Sequence, residues 1–88
     1  MKLALFEYHR RKAEAAMKKA EVQQQVVDYL TGIGYYPRYA TEIAETGEDV
    51  RASGDLEADE ATHVNKLLAK VREYREEGYR LERETVIV

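Results

Sequence analysis

The chain has 88 residues, no cysteine, no tryptophan and a formal net charge of −3. This length makes one small domain and leaves no room for a large catalytic cleft. The lack of cysteine excludes disulfides, thiol nucleophiles and cysteine-ligated zinc. The apolar run after Met1 is too short for a signal peptide or a membrane span, so we expect a cytoplasmic protein with no membrane partner.

Charge is distributed unevenly along the chain. Residues 40–60 hold eight acids and one base, whereas the segments on either side carry a small excess of bases. We call residues 42–60 the acidic band. It excludes a uniformly basic coat for nucleic acid, and it offers a docking surface for a basic protein partner.

Residues 2–31 are predicted to be helical, because no glycine or proline interrupts them and strong helix formers dominate. Their apolar residues fall in two phases, an alanine-rich stripe followed by a stripe rich in valine. This change of phase indicates either one bent helix or two helices that meet near Ala20. Gly32 is the expected end of the helical segment. The alanine-rich stripe consists of Phe6, Ala13, Met17 and Ala20.

Residues 33–40 contain two helix-disfavouring positions, Gly34 and Pro37, together with three tyrosines. They predict a short extended segment. A short helix is expected over 41–46, with Thr41 as its N-cap and Gly47 as its end.

After a polar loop, a second long helix is predicted up to Glu77, with Asp55 or Asp59 as its cap and Gly78 as its end. Its apolar residues recur at three- and four-residue spacing. The last ten residues, 79–88, alternate and then become β-branched, which indicates a strand or a short hairpin. The side chains expected to face inward are Ala61, Val64, Leu68 and Val71.

The order of these elements resembles a winged helix-turn-helix domain of the biotin-repressor kind. The segments that carry the resemblance are VVDYL (26–30), ATEIAETG (40–47) and ATHVNKLLAKVREYREEGYRL (61–81), with REEGYRL as the most specific piece. It covers about residues 21–88 and implies a mainly α fold with a small C-terminal β element. Residues 1–20 would then be an N-terminal helical extension of a single domain, 1–88. A plain helical bundle with a C-terminal strand is the alternative.

The resemblance implies that the third helix of the core binds double-stranded DNA in the major groove. Its outer face combines short polar groups and lysines, which suit base edges and phosphates. Arginines of the wing would add contacts. An ordinary solvated helix face explains the same residues, and ion pairs with neighbouring glutamates explain the wing arginines equally well. The predicted DNA contacts are Thr62, His63, Asn65, Lys66, Lys70, Arg80, Arg83 and Arg38.

Other residues also allow two explanations. The basic run at 9–12 suits either a phosphate backbone or a solvated helix face. His9 and His63 have no second ligand at metal-site spacing, so we expect no metal and no cofactor. Four tyrosines near the end of the first helix would either stack on single-stranded bases or pack in a small core. These are Tyr29, Tyr35, Tyr36 and Tyr39.

The sequence therefore favours a small DNA-binding regulator of transcription or replication without enzymatic activity. It would act as a homodimer through the N-terminal helix. The alanine-rich stripe is too weakly apolar to explain a helical segment of thirty residues by packing within one copy, so we expect it to contact a second copy. The competing interpretation is a non-enzymatic protein-binding adaptor or inhibitor on the same scaffold. In that case the acidic band would be the surface that contacts a basic partner.

Overall fold

The computed structural model describes residues 2–84 and 86–87, and it describes the side chains of residues 4–83. Helices account for about three quarters of this part of the chain. They are α1 (Leu5–Gly32), α2 (Pro37–Thr46) and α3 (Ala58–Glu84).

The helices α1 and α3 form a long antiparallel pair. Tyr29 near the end of α1 meets His63 near the start of α3, whereas Lys12 near the start of α1 contacts Glu82 near the end of α3. Each helix is about 40 Å long at the usual rise per residue, and the molecule measures 53 × 18 × 16 Å along its principal axes. With only 10 residues, α2 reaches along just part of this pair.

Two regions result from the short length of α2. We call residues 20–75 the three-helix end, where α2 and the loop over 47–57 pack against α1 and α3. We call residues 5–19 and 76–83 the two-helix stem. The main core lies in the three-helix end and draws on all three helices and the loop. Its buried members are Val26, Leu30, Ala40, Ala44, Leu56, Ala61, Val64 and Leu68.

The predicted first helix is confirmed over the range of α1 as one continuous helix, so the alternative of two helices is wrong. Residues 2–4, which are also predicted to be helical, are not. Its buried residues Ala15, Val22, Val26 and Leu30 follow one another at seven, four and four residues, which keeps them on one face. The alanine-rich stripe, by contrast, is exposed along its whole length. The change of phase in the sequence therefore marks two faces of one helix and not a break.

The start of α2 differs from the prediction. The helix begins at Pro37, so residues 37–40 are helical and Thr41 is not its N-cap. Proline suits the first helical position because its fixed φ matches the helix and its missing N–H is not needed there. The predicted end at Gly47 is confirmed: its φ is 71°, and its N–H donates to the carbonyl of Ile43.

The end of α3 also differs. The helix passes through Gly78 to Glu84, so the predicted stop and the predicted strand over 79–84 are wrong. Leu81 continues the three- and four-residue spacing of the inward face and is buried. Glycine inside a helix costs about 1 kcal/mol, whereas burial of a leucine contributes about 1.5–3 kcal/mol. Neither predicted cap, Asp55 or Asp59, directly precedes the first helical residue, Ala58.

The winged helix-turn-helix fold with a small C-terminal β element is therefore wrong. A long loop, and not the tight turn of that motif, joins α2 to α3. In the described part of the chain no hairpin follows α3. The extended residues there form a minimal parallel pairing of β1 (Lys2–Leu3) with β2 (Val86–Ile87). Residues 85 and 88 of the predicted strand lie outside the described residues. The inward face predicted for α3 is confirmed, because Ala61, Val64, Leu68 and Val71 are all buried.

Candidate functional site

Asn65, predicted to read bases, holds the loop over 47–57 in place. Its side-chain Nδ2 donates to the carbonyl of Val50 at 3.0 Å, and its Oδ1 accepts from the N–H of Val50 at 2.8 Å. An asparagine that reads adenine uses these same two atoms. Both are engaged within the protein, and the side chain is half-buried.

The other residues of that predicted face are exposed. Thr62 donates its hydroxyl to the carbonyl of Ala58 at 3.0 Å, within its own helix. The His63 ring lies against Tyr29, with centroids 4.4 Å apart. Lys66 and Lys70 have no carboxylate within 4 Å among the residues that the structure describes. These two lysines are therefore the part of the predicted DNA surface that projects into solvent without an ion pair.

The three predicted arginines are divided between two helices, and two of them, Arg80 and Arg83, are neighbours three residues apart on α3. Arg38 lies on α2, with its Nε 3.7 Å from Glu42. Arg80 contacts Glu77, and Arg83 lies 2.7 Å from Glu76, so ion pairs on the surface of α3 account for both. Since Lys66 and Arg83 are separated by about 25 Å of helix, the eight predicted residues do not form one site.

Two arginines that the sequence did not point to fasten α2 to α3. Arg72 donates to the carbonyl of Gly47 at 2.5 Å and lies 3.0 Å from the Asp49 carboxylate. Arg75 donates to the carbonyls of Thr46 at 3.0 Å and Glu45 at 2.6 Å. The last carbonyls of a helix lack partners in the helix and attract cations. No local sequence signal reveals these contacts, because the partners are 23 to 30 residues away.

The acidic band belongs to the three-helix end, where its residues lie on α2, the loop and the first turn of α3. Three of its carboxylates have partners: Glu42 pairs with Arg38, Asp49 pairs with Arg72, and Glu60 accepts the N–H of Glu57 at 2.9 Å. Five others are exposed and have no base within 4 Å in the described residues. They are Glu45, Glu48, Asp55, Glu57 and Asp59.

A pocket of about 400 Å³ opens where α1 turns into α2. Two of the four clustered tyrosines, Tyr29 and Tyr35, pack against the core. Tyr36 and Tyr39 are instead 73% and 52% exposed, with ring centroids 6.3 Å apart and planes inclined by 40°. Core packing therefore explains only half of the cluster. We call this the tyrosine pocket; its lining is Ile33, Gly34, Tyr35, Tyr36, Tyr39 and Asp55.

The stem has a different surface. Phe6 and Met17 are 71% and 59% exposed, on the face of α1 that carries the alanine-rich stripe. Between the two helices of the stem, the Lys12 ammonium donates to the Glu82 carboxylate, and this hydrogen bond raises the pKa of Lys12 above its ordinary value.

Within residues 2–84 and 86–87, no three histidine, cysteine or carboxylate side chains are grouped so that they would hold a metal ion. None of the helices described combines the length and the apolar character that a membrane crossing needs.

No protein-family model matches the chain, and comparison with curated proteins and with solved structures finds no significant match.

Proposed function

We propose that this chain is a non-enzymatic protein-binding module that docks a basic segment of its partner on the three-helix end. The observation that carries the proposal is the set of five exposed carboxylates without a base partner in the described residues: Glu45, Glu48, Asp55, Glu57 and Asp59. A basic segment would supply the missing charges.

The loop that bears part of this surface is ordered before any partner arrives. Leu56 is buried in the core, and the loop backbone is tied to Asn65 and Arg72. A surface that is already ordered loses little conformational entropy on binding. This supports docking of a flexible basic segment on a preformed acidic face.

Electrostatics defines how such a surface would act. Exposed carboxylates attract a basic partner over a distance and mainly raise its association rate. At physiological salt the attraction decays over about 8 Å. We therefore expect affinity that falls with ionic strength and depends on several carboxylates together.

DNA binding stays a prediction, but the winged helix-turn-helix fold that suggested it is not the fold of this chain. Asn65 is occupied by Val50, and acids of the band lie on the first turn of α3. A carboxylate about 4 Å from a phosphate costs on the order of 1–4 kcal/mol near a surface. These observations favour a basic protein partner over a duplex.

The test uses a fluorescent lysine-rich peptide, and a fluorescent 20-base-pair duplex as the competing ligand. Anisotropy at two salt concentrations measures both affinities. Glu45→Gln, Glu48→Gln and Glu57→Gln together should weaken peptide binding by about fivefold or more at low salt, if each charge contributes a few tenths of a kcal/mol. Peptide binding should also be tighter than duplex binding.

The matched control removes three exposed acids outside the band, Glu14→Gln, Glu21→Gln and Glu73→Gln, and changes the net charge equally. It should weaken peptide binding by less than about twofold, because none of these acids belongs to the acidic band. Equal losses from the two triple variants would show attraction by net charge alone and would overturn the proposal. Tighter binding to the duplex would restore the DNA interpretation.

A further inference from the structure

We propose that the tyrosine pocket binds the ammonium group of a lysine side chain from the partner. This inference rests on the proposed function and gives the basic segment a specific anchoring residue. The first observation is that Tyr36 and Tyr39 are mostly exposed. The small core of this chain would gain from burying two such large rings, but it does not use them. A single exposed aromatic side chain needs no explanation, whereas adjoining exposed rings such as these two form a contiguous surface of the kind that binding sites use.

The arrangement of the two rings suits a compact cation. The faces of tyrosine rings are electronegative and attract cations that come within about 6 Å of the ring centroid. The centroids of Tyr36 and Tyr39 are 6.3 Å apart and their planes are inclined by 40°, so the rings form an open corner. An ammonium group placed in that corner would contact both.

The protein already shows this attraction within its own chain. The Arg38 guanidinium lies over the Tyr39 ring, 6.0 Å from its centroid. Arg38 is not among the side chains that line the pocket, so the pocket itself holds no cation from the described residues.

Asp55 supplies the negative charge of the pocket. Its carboxylate has no base within 4 Å in the described residues. The N–H of Asp55 donates to the Ser53 hydroxyl at 3.2 Å, and the next residue, Leu56, is buried in the core. A pocket lined by a carboxylate and by aromatic rings favours a cation over a neutral group of the same size.

The remaining wall leaves space for the ligand. Gly34 has a φ of 113°, a conformation that other residues rarely adopt. A Cβ atom added there would meet no atom within 4 Å, so the space above this turn is open. A volume of about 400 Å³ holds the end of a lysine side chain with or without methyl groups on its nitrogen.

The test uses a fluorescent heptapeptide with one central lysine between glycines and serines, and versions with norleucine or trimethyllysine at that position. Norleucine keeps the alkyl chain and lacks the ammonium. We expect the norleucine peptide to bind at least about threefold more weakly than the lysine peptide, and the trimethyllysine peptide to keep its affinity, because cation–π attraction does not need N–H donors. Loss of trimethyllysine binding would overturn the contact with the rings.

Variants locate the binding on the protein. Tyr36→Leu and Tyr39→Leu keep an apolar side chain and remove the π face, and each should weaken lysine-peptide binding by about three- to tenfold. Asp55→Asn should weaken it by about twofold to fivefold. The matched control is Tyr79→Leu in the stem, where the tyrosine is 51% exposed, close to the 52% of Tyr39. It should leave binding unchanged.

Ring-proton chemical shifts provide a readout that does not depend on affinity alone. In the unmodified protein, signals of Tyr36 and Tyr39 should move on titration with the lysine peptide while those of Tyr79 stay in place. Equal effects of Tyr36→Leu and Tyr79→Leu would overturn the inference. If the pocket variants bind normally and the triple variant of the acidic band does not, the inference fails while the proposed function stands. If neither the pocket variants nor the triple variant of the acidic band weakens peptide binding, both the inference and the proposed function fail.

Discussion

The three-helix end and the two-helix stem are built from the same two long helices, yet they differ in how those helices are stabilised. At the three-helix end, α2 and the loop complete a core of eight buried residues. In the described part of the stem only Ala15 and Leu81 are buried. Two helices alone bury little apolar surface. The 10-residue helix α2 therefore makes the difference between the packed core of the three-helix end and the thin core of the stem.

The stem compensates with ion pairs on its surface. Lys12 contacts Glu82 between the helices, and Arg80 contacts Glu77 along α3. Exposed pairs of this kind contribute about 0–1 kcal/mol each, less than one buried leucine. The stem should therefore open locally before the three-helix end unfolds.

The largest expected effect is on the core of the three-helix end. Leu68→Ala should lower the free energy of unfolding by about 2–5 kcal/mol, since it leaves a cavity in a fully enclosed cluster. Leu81→Ala in the stem should fall at the lower limit of that range, because its less crowded surroundings can collapse into the space. Urea denaturation followed by circular dichroism measures both. An equal or larger loss for Leu81 would contradict the contrast between the regions.

The second effect concerns the loop. Asn65→Ala removes two hydrogen bonds to Val50 and leaves its backbone groups without that partner, which should cost about 1–3 kcal/mol. Hydrogen exchange at the Val50 amide should speed up in this variant. Thr62→Ala, which loses only a bond within the helix, serves as the control and should change stability little. Normal Val50 protection in Asn65→Ala would show that the loop is held in another way.

The third effect tests the homodimer proposed for residues 2–20. Phe6→Glu with Met17→Glu places charges on the exposed stripe of the stem. If that stripe joins two copies, sedimentation should shift from dimer to monomer and the Tm should fall together with it. Stability within about 0.5 kcal/mol of the unmodified protein, the usual result for surface changes, together with an unchanged mass, would eliminate this interface.

The smallest effect concerns pH. The Glu82 carboxylate raises the pKa of Lys12 above its ordinary value of 10.5, so the pair stabilises the folded chain below that pH. The contribution is lost as the pH rises through the raised pKa. Thermal melts of the unmodified protein and Glu82→Gln should therefore differ slightly and constantly from pH 7 to 9, and converge once the pH exceeds the raised pKa of Lys12. A difference that persists there would assign it to something other than this pair.

The local sequence pattern is enough to place most of the helical structure. An uninterrupted run of strong helix formers predicts α1, the spacing of Val64, Leu68 and Val71 predicts the buried face of α3, and Gly47 marks the end of α2. Helical periodicity and glycine caps depend on neighbours within a few residues, so they can be read without the fold.

Features decided by distant contacts could not be read in this way. Gly78 resembles a helix stop, but α3 continues past it and buries Leu81, so the predicted wing does not form over 79–84. Asn65 resembles a base-reading residue, but Val50 lies 15 residues away and occupies its amide. The tyrosine pocket likewise combines residues 33–39 with Asp55, which only the path of the loop brings together. Differences in helix propensity between residues other than proline amount to about 1 kcal/mol or less. One buried side chain or one satisfied amide contributes about as much or more, so contacts between distant residues override the local preference.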